Sequence, residues 1–462
     1  MAVSFGGLGN GVDFGQIVEF LVQAERLPID RLTEKKLASQ EKLTDLGTLG
    51  TKLLTLQSAA NSMQTRISFD KTKVDVSTAS AQNVLTASSS STATAGTHTV
   101  TVNQLATAHQ VSSKASTTVA STETSIVGGG GGTFTFSVAG GAAQTVNLEG
   151  DATLDDLKNA INDLGAGVSA STLNTGSEST PAYRLVLTAN DTGASNAISI
   201  TTDSTSLDTV TTGVDTFQGA LDSEIILGTA GNDQVTLNRS SNTLSDVIAG
   251  VTLNLQGVDA ANPVSISISQ DTEAVKEGIS SLVEAYNDVV KFIDERTFFN
   301  EETNERGIFV GESLTRTVLD KIRGALSGQV SGLSTISSAG QIGFQTQTAD
   351  GTIVLDDATL DARLADSFDE VRELFINNPT NGTSGIADRL LDAVDNLDDI
   401  EFGALTLRQN TLTSEIDDFD DQIDVLETRI TQFEEQQRIK FANLDGLLSS
   451  LQSQLDNLNS LI

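Results

Sequence analysis

Residues 412–433, LTSEIDDFDDQIDVLETRITQF, set Leu412, Ile416, Phe419, Ile423, Leu426, Ile430 and Phe433 at separations that alternate between four and three. A mean period of 3.5 keeps apolar side chains on one seam of an α-helix, and such a seam is buried by winding against a second helix. Gln437 takes the next core slot, after which Phe441, Leu444, Leu448, Leu451, Leu455 and Leu458 resume the pattern. The two successive steps of four around Gln437 form a stutter, which locally unwinds a supercoil. At ~1.5 Å per residue the stretch from Leu412 to Ile462 extends roughly 75 Å as a helix, too long for one small core to cover. The acidic group Asp417, Asp418, Asp420, Asp421 and Asp424 lies off the seam and reads as a solvated face.

The partner seam is expected at the other end of the chain, where Leu46, Leu49, Leu53, Leu56, Ala60, Met63 and Ile67 again step by three and four. Upstream, Ile17, Leu21 and Ala24 suggest a shorter helical piece, and Pro28 predicts a break between the two because proline removes a helix hydrogen bond. Between these helical ends, residues 77–269 are rich in Ser, Thr and Gly and alternate apolar with polar residues, as in 134–138 (FTFSV), 184–187 (RLVL), 235–237 (VTL), 251–255 (VTLNL) and 265–268 (SISI). A period of two predicts strands. One helix interrupts them, with Thr153 and Asp156 placed as a capping box. Helical spacing returns at Val275, Ile279, Leu282, Tyr286, Val289 and Ile293, and then at Leu314 to Leu326 behind Ser313 as a cap. A hairpin is expected over 346–355 around Asp350-Gly351, followed by short helices near 368–376 and 386–397. The predicted fold class is α+β and multidomain: the N- and C-terminal helices pair into a coiled-coil stalk or leg, with β-rich head domains inserted between them.

Composition excludes several classes of function. A formal charge of −35, from 62 acidic against 27 basic residues, repels phosphate backbones and anionic lipid, so nucleic acid is not an expected partner. No stretch is apolar for long enough to insert in a membrane, and the N-terminus shows no Lys or Arg before Arg26 and no signal-peptide core. The absence of cysteine removes disulfides and thiolate chemistry. His98 and His109 have no nucleophile elbow near them, the run Gly128 to Gly132 is not followed by Gly-Lys-Ser/Thr, and the pairs Asp155-Asp156 and Asp356-Asp357 lack calcium-loop spacing. Both histidines are expected at the solvent surface. No catalytic residue, cofactor or metal site is expected, so the chain is not read as an enzyme.

Two strings near the start, Gly7-Leu8-Gly9-Asn10-Gly11-Val12-Asp13 and Ala24-Glu25-Arg26-Leu27-Pro28-Ile29-Asp30, resemble the opening of the flagellar filament-cap proteins, the FliD or hook-associated protein 2 family. Asn10 and Val12 replace the commoner Ser and Leu. Further landmarks follow in family order: HTVTVNQLATAHQVSS at 98–113, AINDLGAGVSASTLN and YRLVLTANDTGASNAI within 160–198, GVTLNLQG at 250–257, DTEAVKEGISSLVEAYNDVVKFI at 271–293, and IGFQTQTADGTIVLDDATLDARL at 342–364. The landmark within 160–198 resembles an insertion motif shared with flagellins. The tail from Asp456 to Ile462 departs from the family by continuing the seam.

The resemblance implies a self-associating ring, commonly a pentamer, at the distal filament tip, beneath which exported flagellin folds and is added. It also implies passage through the flagellar type III export channel, contact with hook-filament junction proteins, and an export chaperone meeting residues 412–462. A secondary part in adhesion stays open, as do a flagellin-like or junction subunit and a secreted adhesin as other readings. On this basis the expected segments are an N-terminal export and leg segment at 1–45, partly disordered, and a leg helix at 46–76. A discontinuous first head domain follows at 77–115 and 223–272, with a second inserted in it at 116–222. A helical leg domain with a β-hairpin covers 273–400, and the coiled-coil helix 401–462.

Overall fold

The structure, a computed structural model, describes residues 13–79, 82–229, 231, 233–333, 335–378 and 382–459. Its helices are α1 (Phe14–Ser62), α2 (Arg66–Phe69), α3 (Leu154–Asp163), α4 (Thr272–Thr297), α5 (Ser313–Ser327), α6 (Asp357–Asp366), α7 (Phe368–Phe375), α8 (Ile386–Asp398) and α9 (Ala404–Asn459). The strands begin with β1 (Thr72–Thr78), β2 (Leu85–Ser89), β3 (Gly96–Gln104), β4 (Ala108–Ser113), β5 (Gly132–Val138), β6 (Gln144–Leu148), β7 (Val168–Asn174), β8 (Tyr183–Thr192) and β9 (Ile198–Asp203). They continue with β10 (Val214–Gln218), β11 (Ser223–Leu227), β12 (Val235–Arg239), β13 (Thr243–Ile248), β14 (Val251–Leu255), β15 (Asp259–Gln270), β16 (Phe344–Thr346) and β17 (Ile353–Leu355). The chain divides into a helical unit, residues 1–69 with 272–462, and a β-rich unit, residues 70–271.

In the helical unit α1 is one unbroken 49-residue helix that passes through Pro28, so the break expected there does not occur. Interior proline costs about 3 kcal/mol, and burial of Val18 and Ile29 where α1 runs along α9 offsets that cost. The buried face is also shifted by one position from the expected one. Val18 and Ile29 are buried and Val22 is half-buried, whereas Ile17, Leu21 and Ala24 are exposed. Local periodicity permits either stripe, and contact with α9 selects one. Leu46, Leu49, Leu53, Leu56, Ala60 and Met63 are buried as the spacing predicts, but Ile67 is 71% exposed because α1 ends at Ser62 and Phe69 takes the core position instead.

Helix α4 buries all six predicted seam residues, and Val283 and Val290 besides, because it is covered on two sides. Helix α5 starts behind Glu312 rather than Ser313; Ser313 is its first residue and no side chain caps it. Asp356 caps α6 through its carboxylate and the Thr359 amide (3.1 Å), so one of the acidic pairs is helix punctuation. The hairpin of β16 and β17 pairs Phe344 with Leu355 and Thr346 with Ile353, and Gly351 turns it at a φ of 76°. Asn287 on α4 holds the hairpin as an extra peptide group would: its amide donates to the Ile353 carbonyl (2.8 Å) and accepts from the Ile353 N–H (2.7 Å).

The β-rich unit has two hydrophobic cores. One lies between the sheet β1-β15-β3-β11-β12 and the sheet β13-β14-β2, around Val100, Ile225, Leu253 and Ile266. The other gathers the sheets β10-β4-β8-β7 and β6-β5-β9 with α3, around Phe134, Phe136, Leu157, Ile161 and Leu187. Strands β3 and β4 follow each other along the chain, one in each core. At the junction Asn242 repeats the peptide-like device, bonding both ways to the backbone of Ala106 (2.7 and 2.8 Å), and Asn162 does the same for Ala170 (2.7 and 2.9 Å). Asparagine suits this because its short side chain carries the same donor and acceptor as a peptide. The capping box at α3 is present in both directions: Thr153 N–H donates to Asp156 (2.9 Å), and Asp156 N–H to the Thr153 hydroxyl (3.2 Å).

His98 is exposed, but His109 is not, contrary to expectation: its Nδ1 accepts the Ile198 amide (2.9 Å), and burial holds its pKa below the ordinary value. The ring must be neutral for that bond. A depressed folded pKa gives stability that is complete above the unfolded value of about 6.5 and declines as pH falls through the folded one. The β-rich unit is therefore expected to lose thermal stability as pH falls below about 6.5, and His109→Gln to flatten that slope. An unchanged slope in the variant, followed by calorimetry, would refute the assignment.

Candidate functional site

No described group of three or more His, Cys, Asp or Glu side chains is arranged to hold a metal ion. Among the described residues no helix is long and apolar enough to cross a membrane. Among the described helices the longest is α9.

Helix α9 begins eight residues before Leu412 and packs antiparallel along α1. Gly50 sets the upper contact: a Cβ there would lie 3.3 Å from Leu405 Cδ2, so the glycine permits close approach. Lys36 pairs with Asp420 farther down, and at the lower end Phe14 stacks on Phe441 with ring centroids 5.4 Å apart. Along this interval Leu412 and Ile430 are buried, and Ile416, Phe419, Ile423, Leu426, Phe433 and Phe441 are half-buried. Gln437 is half-buried between exposed Gln436 and Arg438, so the stutter lies on the packed face. Past Phe441 the picture changes: Leu448 is half-buried, Leu444, Leu451 and Leu455 are exposed, and the Leu458 side chain lies outside the described residues.

The α9 root is fixed by charge. Glu312, whose side chain is 8% exposed, accepts from Arg408 through both carboxylate oxygens (3.1 to 3.2 Å) and lies 3.5 Å from Lys42. This triad joins α1, the start of α5 and the first turns of α9. Its members are far apart in sequence and belong to no motif, so nothing in the pattern marked them.

Of the N-terminal motif, Gly7, Leu8, Gly9 and Gly11 lie outside the described residues. Asp13 is the α1 N-cap, accepting from Gly15 N–H (2.9 Å) and Gln16 N–H (3.2 Å). Ala24, Glu25, Arg26, Pro28 and Asp30 are exposed on α1, and Ile29 alone of their neighbours turns inward. The motif residues therefore contribute surface, not core.

The terminal helices α1 and α9 thus form a long antiparallel pair, and the β-rich unit lies between them along the chain. The C-terminal model of flagellar hook-associated protein 2 matches residues 229–453, the N-terminal model matches residues 10–109, and the flagellin hook IN motif matches residues 133–191. The A-type flagellar hook-associated protein 2 of Pseudomonas aeruginosa is 28% identical over 97% of this chain and 95% of its own length. Flagellar hook-associated protein 2 of Escherichia coli K12 is 27% identical over 98% and 96%. The crystal structure of the D1-D2-D3 domains of the flagellar cap protein FliD from Escherichia coli superposes with a TM-score of 0.63 at 27% identity, covering 80% of this chain and 99% of that one. The chain belongs to the flagellar hook-associated protein 2, or FliD, family.

Proposed function

We propose that this protein is the flagellar filament cap: a ring of identical subunits at the distal tip that confines newly exported flagellin until it docks, and without which the filament does not elongate. The observation that carries the reading is similarity to hook-associated protein 2 over nearly the whole chain, both helical ends and the β-rich middle included. The role is structural and requires no catalytic residue or cofactor. Paired helices α1 and α9 are the legs, and the exposed motif surface from Ala24 to Asp30 faces neighbouring subunits or the filament. The two cores of the β-rich unit correspond to the two head domains, with boundaries near 70, 106, 223 and 271: β1 already pairs in the first sheet and β4 falls in the second core, so the expected boundaries at 77 and 116 move back. A pentamer, passage through the flagellar type III channel, contact with junction proteins, and a chaperone meeting α9 beyond Leu412 belong to the same reading.

The test is electron microscopy of filaments labelled with antibody to this protein. Label confined to tips supports the cap. Label along the shaft would instead support a filament subunit, the alternative that the flagellin hook IN motif at 133–191 keeps open.

A further inference from the structure

The two most exposed large apolar side chains among the described residues stand two positions apart on one turn: Ile400 at 88% and Phe402 at 79%. The turn joins α8 to α9 and is preformed. Asp399 accepts the N–H groups of Glu401 (3.0 Å) and Phe402 (2.7 Å) on its carboxylate and that of Gly403 (3.0 Å) on its carbonyl. Gly403 itself is buried against backbone, where a Cβ would come within 2.5 Å of Asp399 N and O. A rigid turn that presents Ile and Phe to water loses little entropy on docking. Its charged companions are all acidic: Asp398, Asp399 and Glu401.

The same helical unit carries a cleft of about 590 Å³ between the end of α4 and α5, lined on its apolar side by Ile293, Phe309, Val310 and Leu319. Arg316 and Arg323 stand in its wall, and Arg316 is exposed with no ion pair among the described residues. The cleft's own acids are partly committed, since Glu312 is neutralised by Arg408 and Lys42. At ~100° per residue, Arg316, Leu319, Asp320 and Arg323 occupy one face of α5, while the buried Leu314, Val318 and Ala325 lie about half a turn round. Helix α8, which leads into the Ile400 turn, packs on α5. Turn and cleft share no residue, as a head-to-tail contact requires, and such contacts close into rings when the rotation permits.

We infer that the Ile400-Glu401-Phe402 turn of one copy seats in the α4–α5 cleft of the next, with Glu401 meeting Arg316. This interface rests on the ring reading above and gives that ring a specific contact. Because the chain has no cysteine, introduced thiols are the sole ones. Full-length Ile400→Cys is mixed with full-length Val310→Cys under mild oxidation. Cross-linked heterodimer should exceed either homodimer at least about tenfold, and the double variant should give a ladder that ends at the ring. Phe402→Asp and Arg316→Glu should each weaken self-association about tenfold or more in sedimentation with unchanged melting, and Glu401→Arg should restore the Arg316→Glu variant.

A ring that forms without the heterodimer overturns this interface and leaves the cap reading standing. A protein that stays monomeric at every concentration overturns both. If Phe402→Asp leaves the ring intact but abolishes flagellin retention, flagellin occupies that surface and the inference is wrong.

Discussion

Cells lacking this gene are expected to carry hooks without long filaments and to shed flagellin into the medium as monomer. Isolated terminal helices of an exported subunit are marginal in water, and their stability comes from docking an apolar stripe on neighbours. A chamber at the tip raises the chance that docking precedes escape, so its loss should reduce filament length to near zero rather than by a fraction. Electron microscopy and immunoblots of culture supernatant read the outcome directly. Normal filaments and motility in the deletion strain would sink the cap function, whatever the family. Complementation should fail with a protein truncated after Gly403, because α9 supplies one of the two leg helices.

Glu312→Ala is expected to cost the helical unit about 2 to 3 kcal/mol. Removing one partner from a fully buried ion pair typically costs about 3–5 kcal/mol, because the remaining charge is left without compensation. Here Arg408 and Lys42 keep side-chain exposures of 26% and 23%, so water relieves part of that penalty. The effect should be cooperative with Arg408→Ala: the double variant should be no worse than Glu312→Ala alone, since the stranded guanidinium is gone. The chain's two tyrosines, Tyr183 and Tyr286, fall one in each unit, and there is no tryptophan. Tyrosine emission in a Tyr183→Phe background therefore follows urea unfolding of the helical unit through α4. Strict additivity of the two substitutions would show that the triad is a set of independent surface contacts.

Much of the architecture was legible in the sequence because period alone decides between helix and strand. The seam of α4, the capping box of α3 and the Asp350-Gly351 hairpin appear where residue spacing puts them, whereas α9 is helical throughout but covers its seam only in part, with Leu444, Leu451 and Leu455 exposed. Period does not decide which of two adjacent stripes is buried, and so the Ile17 stripe was expected where Val18 and Ile29 pack. Nor does a propensity rule weigh tertiary gain: Pro28 disfavours helix locally, yet the contact along α9 carries α1 through it. The N-terminal motif identified the family, but its described members lie on the surface, where geometry alone would not have singled them out.

From spacing and composition alone follow the long C-terminal seam, its stutter at Gln437, a helical partner at the other end of the chain, strands between them and the absence of thiol chemistry. Those properties are local or periodic and hold wherever the chain is placed. Only the tertiary structure decided that Glu312, Arg408 and Lys42 share one ion cluster, that three asparagine side chains stand in for backbone, that His109 accepts the Ile198 amide, and that Ile400 and Phe402 stand in water. Each of these depends on a contact between residues distant along the chain, or on the lack of one. Such contacts are set by how helices and sheets bury one another, which no short window of sequence contains.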